Sequence, residues 1–183
     1  MFRRVSVMFV SFMLIVAIWV ANPFVSAARA QTAADHPTSF TGSLVERSSD
    51  SVAIRQTVYV AAYSAIRLGP GQGKVDLATT LSIHNTSEKR PLVLLRVDYF
   101  GTAGNLIHSY VPTPIAIRPF GSVEAFVPAE DTRGGTGANF VVEWAADGQI
   151  TEPLIEAVMI GQRGTAGFAF TSPGRTMIGA RPQ

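Results

Sequence analysis

The 183-residue sequence has no cysteine. That absence excludes disulfide frameworks, thiolate-bound zinc, iron–sulfur clusters, thiol nucleophiles and a lipidated N-terminal cysteine. Charge is also scarce, at 15% Asp, Glu, Lys and Arg, and after residue 30 only Lys89-Arg90 forms an adjacent basic pair. No aromatic–basic RNA-binding pattern accompanies that pair, so no nucleic-acid partner is expected. Sustained helical periodicity is missing. Beyond the N-terminus no apolar run reaches the roughly 18 residues of a membrane span. Turn-forming residues, by contrast, are plentiful: 16 Gly and 11 Pro.

Residues 1–30 read as an address. Arg3 and Arg4 open it, residues 5–21 are uncharged, Asn22-Pro23 breaks the run, and Ala28-Arg29-Ala30 offers small residues to a signal peptidase. The expectation is a secretory signal peptide cut after Ala30, with a periplasmic or secreted product. The alternative is an uncleaved N-terminal anchor that holds the domain on the periplasmic side. These thirty residues carry three of the 15 basic side chains and none of the 13 acidic ones. Without them the formal charge changes from +2 to −1, with 12 basic against 13 acidic residues, and no membrane span remains. The basic character of the whole chain therefore belongs to the address.

Three further segments follow. Residues 31–50 have few apolar members and no period, as in a flexible tether. Residues 51–171 hold the folded domain, and residues 172–183, with two Pro and two Gly, read as a C-terminal tail. Within the domain the period is two. Val75, Leu77, Thr79, Leu81 and Ile83 share one face; Val93, Leu95, Val97 and Tyr99 share another, against Arg96 and Asp98. Residues 75–83, 92–100 and 106–111 are predicted to form a meander, and Asp147-Gly148 to close a hairpin. Seven to nine short strands without a helix predict an all-β antiparallel β-sandwich of immunoglobulin or fibronectin-III type.

Few residues suggest chemistry. Gly69-Pro70-Gly71-Gln72-Gly73-Lys74 fails as a phosphate loop, because Leu68 stands where a glycine is needed and Val75 where Ser or Thr is needed. No G-x-S-x-G elbow exists. His84 and His108 are weak candidates for a metal site with a carboxylate from Asp76, Asp98 or Glu143, if a strand pair brings them together. Glu143 faces outward if Phe140, Val142 and Trp144 face inward. The densest stretch is 130–139, with Glu130, Asp131, Thr132, Arg133, Gly134, Gly135, Gly137 and Asn139. Its glycines permit close backbone approach to a ligand, and Arg133 can fork onto a carboxylate or phosphate. The plainer reading is a wide connection in which Arg133 pairs with Asp131 or Glu130. Asn85-Thr86-Ser87 is a glycosylation sequon that marks a turn.

The stretch EDTRGGTGANFVVEW (130–144), followed by EAVMIG (156–161), the run ATTLSIHNT (78–86) and the strand VDYF (97–100), resembles a family of exported bacterial proteins built on a domain of unknown function. The resemblance covers residues 58–171 and implies an envelope-side domain; it carries over no catalytic residue. The expected function is that of a non-enzymatic binding or protein-interaction module, exported and periplasmic. Its 130–139 loop would meet another envelope protein or a small polar or anionic ligand through Asp131, Thr132, Arg133, Gly134, Gly135 and Asn139. No cofactor is implied. A metal-assisted hydrolase using His84 and His108, and a structural envelope component that works by edge-strand pairing, are the alternatives.

Overall fold

A computed structural model describes residues 41–47, 52–70 and 73–177. The signal peptide reading (1–30), most of the tether and the end of the tail lie outside these residues. Twelve strands run in chain order: β1 (Leu44–Val45), β2 (Ile54–Ala61), β3 (Ala65–Arg67), β4 (Lys74–His84), β5 (Leu92–Phe100), β6 (Leu106–Ser109), β7 (Ile115–Ile117), β8 (Ser122–Val127), β9 (Asn139–Ala146), β10 (Leu154–Arg163), β11 (Ala166–Pro173) and β12 (Arg175–Met177). They form two antiparallel sheets. Sheet I has the order β1-β7-β5-β9-β2-β12, with β6 also on β5; sheet II has β11-β10-β4-β3, with β8 also on β4.

The architecture is thus the all-β sandwich that the period-two pattern predicts. The count exceeds seven to nine because edge pieces of two or three residues, β1, β3, β7 and β12, add to the main ladders. Leu44 and Val45, inside the segment read as a tether, pair with β7. Arg175–Met177, inside the tail, pair with β2. At Gly174 the chain steps from sheet II to sheet I. A Cβ there would sit 2.6 Å from Val58 Cγ1 and 2.8 Å from the Ile155 carbonyl, so only glycine lets the strand pass so close.

β4 buries Val75, Leu77, Leu81 and Ile83, and β9 buries Phe140, Val142 and Trp144. With Leu92, Leu94, Val97, Tyr99, Ile155 and Met159 these fill the space between the sheets. Each such aliphatic side chain contributes about 1.5–3 kcal/mol when fully buried.

Three sequence expectations are corrected. The predicted meander is not one: β5 and β6 form a hairpin in sheet I, but β4 lies in sheet II, so residues 85–91 cross between sheets. Val93 and Leu95 do not share the inward face. Leu92 and Leu94 do, because a register shift between Leu94 and Arg96 inserts one residue and reverses the alternation before Val97 and Tyr99. Asp147-Gly148 is not a hairpin, since β9 and β10 belong to different sheets. Asp147 instead binds Arg90 at 2.9 Å, holding two crossovers together.

The strand register defines two ends. At one, called the upper, lie the crossover 85–91, the turn 118–121 and the segment 147–153. At the other, the lower, lie the turn 101–105 and the loop 128–138.

Candidate functional site

The lower end is built around Tyr99. Its ring packs on Phe140 with centroids 4.9 Å apart and planes tilted by 35°, and its hydroxyl sits 2.5 Å from Ser64 Oγ in the buried interior. The 130–139 loop closes over this pair. Asp131 caps a pair of short 3-10 turns that span Thr132–Gly137 and are broken by a kink at Gly135, its carboxylate accepting from the Arg133 amide. Gly134 is pressed onto the hydroxyls: a Cβ there would lie 1.9 Å from Tyr99 Oη and 2.5 Å from Ser64 Oγ. Gly135 takes φ 73°, a left-handed conformation that favours glycine, and its carbonyl accepts from the Ser64 amide at 3.0 Å.

Thr102, from the β5–β6 turn, fastens the other side. Its amide and its hydroxyl both donate to the Gly134 carbonyl, at 2.9 and 2.8 Å, and its Oγ1 accepts from the Gly137 amide at 2.9 Å. The Ala62 amide bonds the Ala138 carbonyl at 2.8 Å. The loop is therefore fixed to the β2–β3 link and to the β5–β6 hairpin. Burial pushes the Tyr99 hydroxyl above its ordinary value, opposed by the Ser64 bond. Burial likewise raises Tyr110, whose hydroxyl donates to the Phe126 carbonyl at 3.0 Å.

On the outside of this platform Asp131 holds Arg133. The carboxylate accepts from Nε at 2.8 Å and from Nη2 at 2.6 Å, and the hydrogen bond holds the guanidinium charged above its ordinary value. The Arg133 side chain is 50% exposed, against 14% for Asp131. The pair uses the side edge of the guanidinium; its end edge can still fork onto an acid. Thr132 and Arg133 are exposed, Gly134 is buried, and Gly135 and Asn139 are half-buried. Asn139 begins β9, opposite Ala61 and Phe100.

The histidines are not brought together by a strand pair, because β4 and β6 lie in different sheets. Each has its own surroundings. His84 Nδ1 lies 2.6 Å from Ser122 Oγ, and Nε2 lies 2.7 Å from Ser82 Oγ. The His108 ring meets Tyr110 edge-on at 4.5 Å. Among the described residues no three His, Asp or Glu side chains form a group able to hold a metal ion. Glu143 faces outward, where it pairs with Arg55.

Several structural roles had no signal strong enough to be read from the residues alone. Ser64 and Thr102 are ordinary loop residues until the fold sets them against Gly134. Asn85, read as a sequon, is 1% exposed. Its Nδ2 donates to the carbonyls of Arg90, Ile117 and Arg118 at 2.9–3.1 Å, and its Oδ1 accepts from the Ser87 amide at 3.0 Å. It is a buried staple that holds the upper end together.

Comparison with known proteins adds a family and no activity. The family described as "Protein of unknown function (DUF3124)" matches residues 55–177, and the chain belongs to it. No curated protein matches the chain. Among solved structures, that of Thermotoga maritima 1070 aligns with a TM-score of 0.41 and 9% identity, over 72% of this chain and 100% of that one.

Proposed function

We propose that this family member is an exported, non-enzymatic binding domain. It engages an acidic group, on a small ligand or another envelope protein, through Arg133 and the 130–139 loop. The supporting observation is the rigid presentation of Arg133. A half-exposed guanidinium on a fixed loop loses little conformational freedom on binding, which is what preorganised recognition requires. Thr132 beside it supplies an exposed hydroxyl. Export rests on the composition of residues 1–30.

The test compares wild type with Arg133→Ala by calorimetric titration against inorganic phosphate, succinate and an acidic peptide. At least one of these should bind wild type, with affinity falling at least about tenfold in the variant while the melting temperature changes little. Binding that survives the substitution, absence of binding by all three, or a variant that melts many degrees lower would each remove the loop from this role.

A further inference from the structure

The two sandwich faces differ in what they leave open. Sheet I shows solvent an ion-pair ladder: Arg55 with Glu143, and Arg96 Nε at 3.9 Å from Glu143 and 3.4 Å from Asp98. Sheet II ends on β11, eight residues of sequence AGFAFTSP with no charge. Among the described residues β11 has a single ladder neighbour, β10. Among the described residues the other edge strands are shorter: two residues in β1, four in β6, three with Arg175 in β12, three with Arg67 in β3 and six with Glu124 in β8. Proteins guard edges by shortening or charging them. β11 has neither protection until Pro173.

Its neighbours continue the pattern. Ala169 stands opposite Ile160, and Ile160 opposite Ala78, on the outer face. Ile160 is 56% exposed. Phe168 and Phe170 point the other way and are half-buried at the margin of the core.

We propose that β11 is a homodimer interface in which it pairs antiparallel with β11 of a second copy, centred on Ala169. The sequence of β11 suits a second copy as the occupant, because it pairs with itself in one favourable register. In a two-fold antiparallel pair, residues facing the same side must meet, so the centre falls on a residue rather than between two. Centring on Ala169 places Phe168 of each copy opposite Phe170 of the other, Gly167 opposite Thr171, and Ala166 opposite Ser172. It also leaves Pro173, which has no N–H to donate, just outside the ladder. Centring on Phe170 would pull Pro173 into the ladder, and centring on Phe168 would shorten the overlap. The Ala169 register thus gives two aromatic cross-strand pairs, each a stabilising unit of sheet pairing. It also joins the row Ala78, Ile160 and Ala169 to its copy. Two five-stranded sheets would become one. This assembly does not depend on the loop reading, since β11 and Arg133 lie on different elements.

The absence of native cysteine makes the test direct. Directly opposed residues in an antiparallel pair lie about 4.5–5.5 Å apart at Cα, within disulfide reach. In the full chain, Ala169→Cys should link to a covalent dimer under mild oxidation. Thr171→Cys should not, because the two copies of position 171 would lie four residues apart along the ladder, about 13 Å. Ala169→Lys sets two ammonium groups face to face and should raise the dimer dissociation constant at least about tenfold by light scattering. Failure of Ala169→Cys to link, linking of Thr171→Cys to the same extent, or a wild type that scatters as a monomer would overturn the proposal. The last result would instead fit a foreign strand as the occupant of this edge.

Discussion

The two ends of the sandwich are closed by opposite means. At the upper end one side chain does the work: buried Asn85 donates its amide to the Arg90 carbonyl within its own crossover and to the adjacent Ile117 and Arg118 carbonyls of one other segment. At the lower end the absence of a side chain does it: Gly134 lies flat on Ser64 and Tyr99 because it has no Cβ. Chemistry closes one end and shape closes the other. Each end also leaves something outside. The lower end presents Arg133 on a fixed loop. The upper end presents Phe120, 71% exposed and held at φ 58° in the turn closed by the Gly121 amide on the Arg118 carbonyl at 2.9 Å. A left-handed conformation costs a residue with a side chain roughly 1–2 kcal/mol. The upper end therefore carries strain at its tip, whereas the left-handed residue of the lower loop, Gly135, carries none.

The largest effect should come from breaking the upper closure. Asn85→Ala leaves buried carbonyls without donors and should cost about 4 kcal/mol in denaturant unfolding. A loss below about 1 kcal/mol would mean that the upper end is held by something else. Breaking the lower closure comes next. Gly134→Ala forces a methyl group into the Tyr99–Ser64 hydrogen bond and should cost about 3 kcal/mol. Retention of full stability would show the loop to be loosely seated. Arg133→Ala should be far milder, under about 1 kcal/mol, because an exposed ion pair contributes little even when its geometry is good. A contrast between Gly134→Ala and Arg133→Ala in the same melting series would separate the platform from the group it presents. At the small end, Phe120→Gly should leave stability unchanged or raise it by up to about 1 kcal/mol, as relief of strain outweighs the added freedom of the unfolded chain. A clear destabilisation would mean that the ring packs on something.

Much of the scaffold was legible. The alternation in 75–83 and 140–144 gave strands and their inward faces, because burying one face of a pleated strand requires period two. The pairing of Arg133 with Asp131 is one of the two that its acidic neighbours, Asp131 and Glu130, make available locally. Other features were not legible for definite reasons. A one-residue bulge at Leu95 reverses a face with no change in composition. Asp147-Gly148 has hairpin chemistry, but its ion pair with Arg90 serves an arch between sheets. The sequon at Asn85 looks like an exposed turn, since nothing local says that the carbonyls of Ile117 and Arg118, more than thirty residues away, will converge there.

By itself the sequence determined the class of structure, the inward faces of β4 and β9 and the address-like composition of residues 1–30. These depend on periodicity and composition, which are local properties of a chain. Only the tertiary structure decided which strands share a sheet, why Gly134 must be glycine, why Asn85 is buried and which edge, among the described residues, is uncharged and has a single ladder neighbour. Those depend on contacts between residues dozens of positions apart, such as Gly134 with Tyr99 and Asn85 with Ile117. No local pattern encodes a partner that distant.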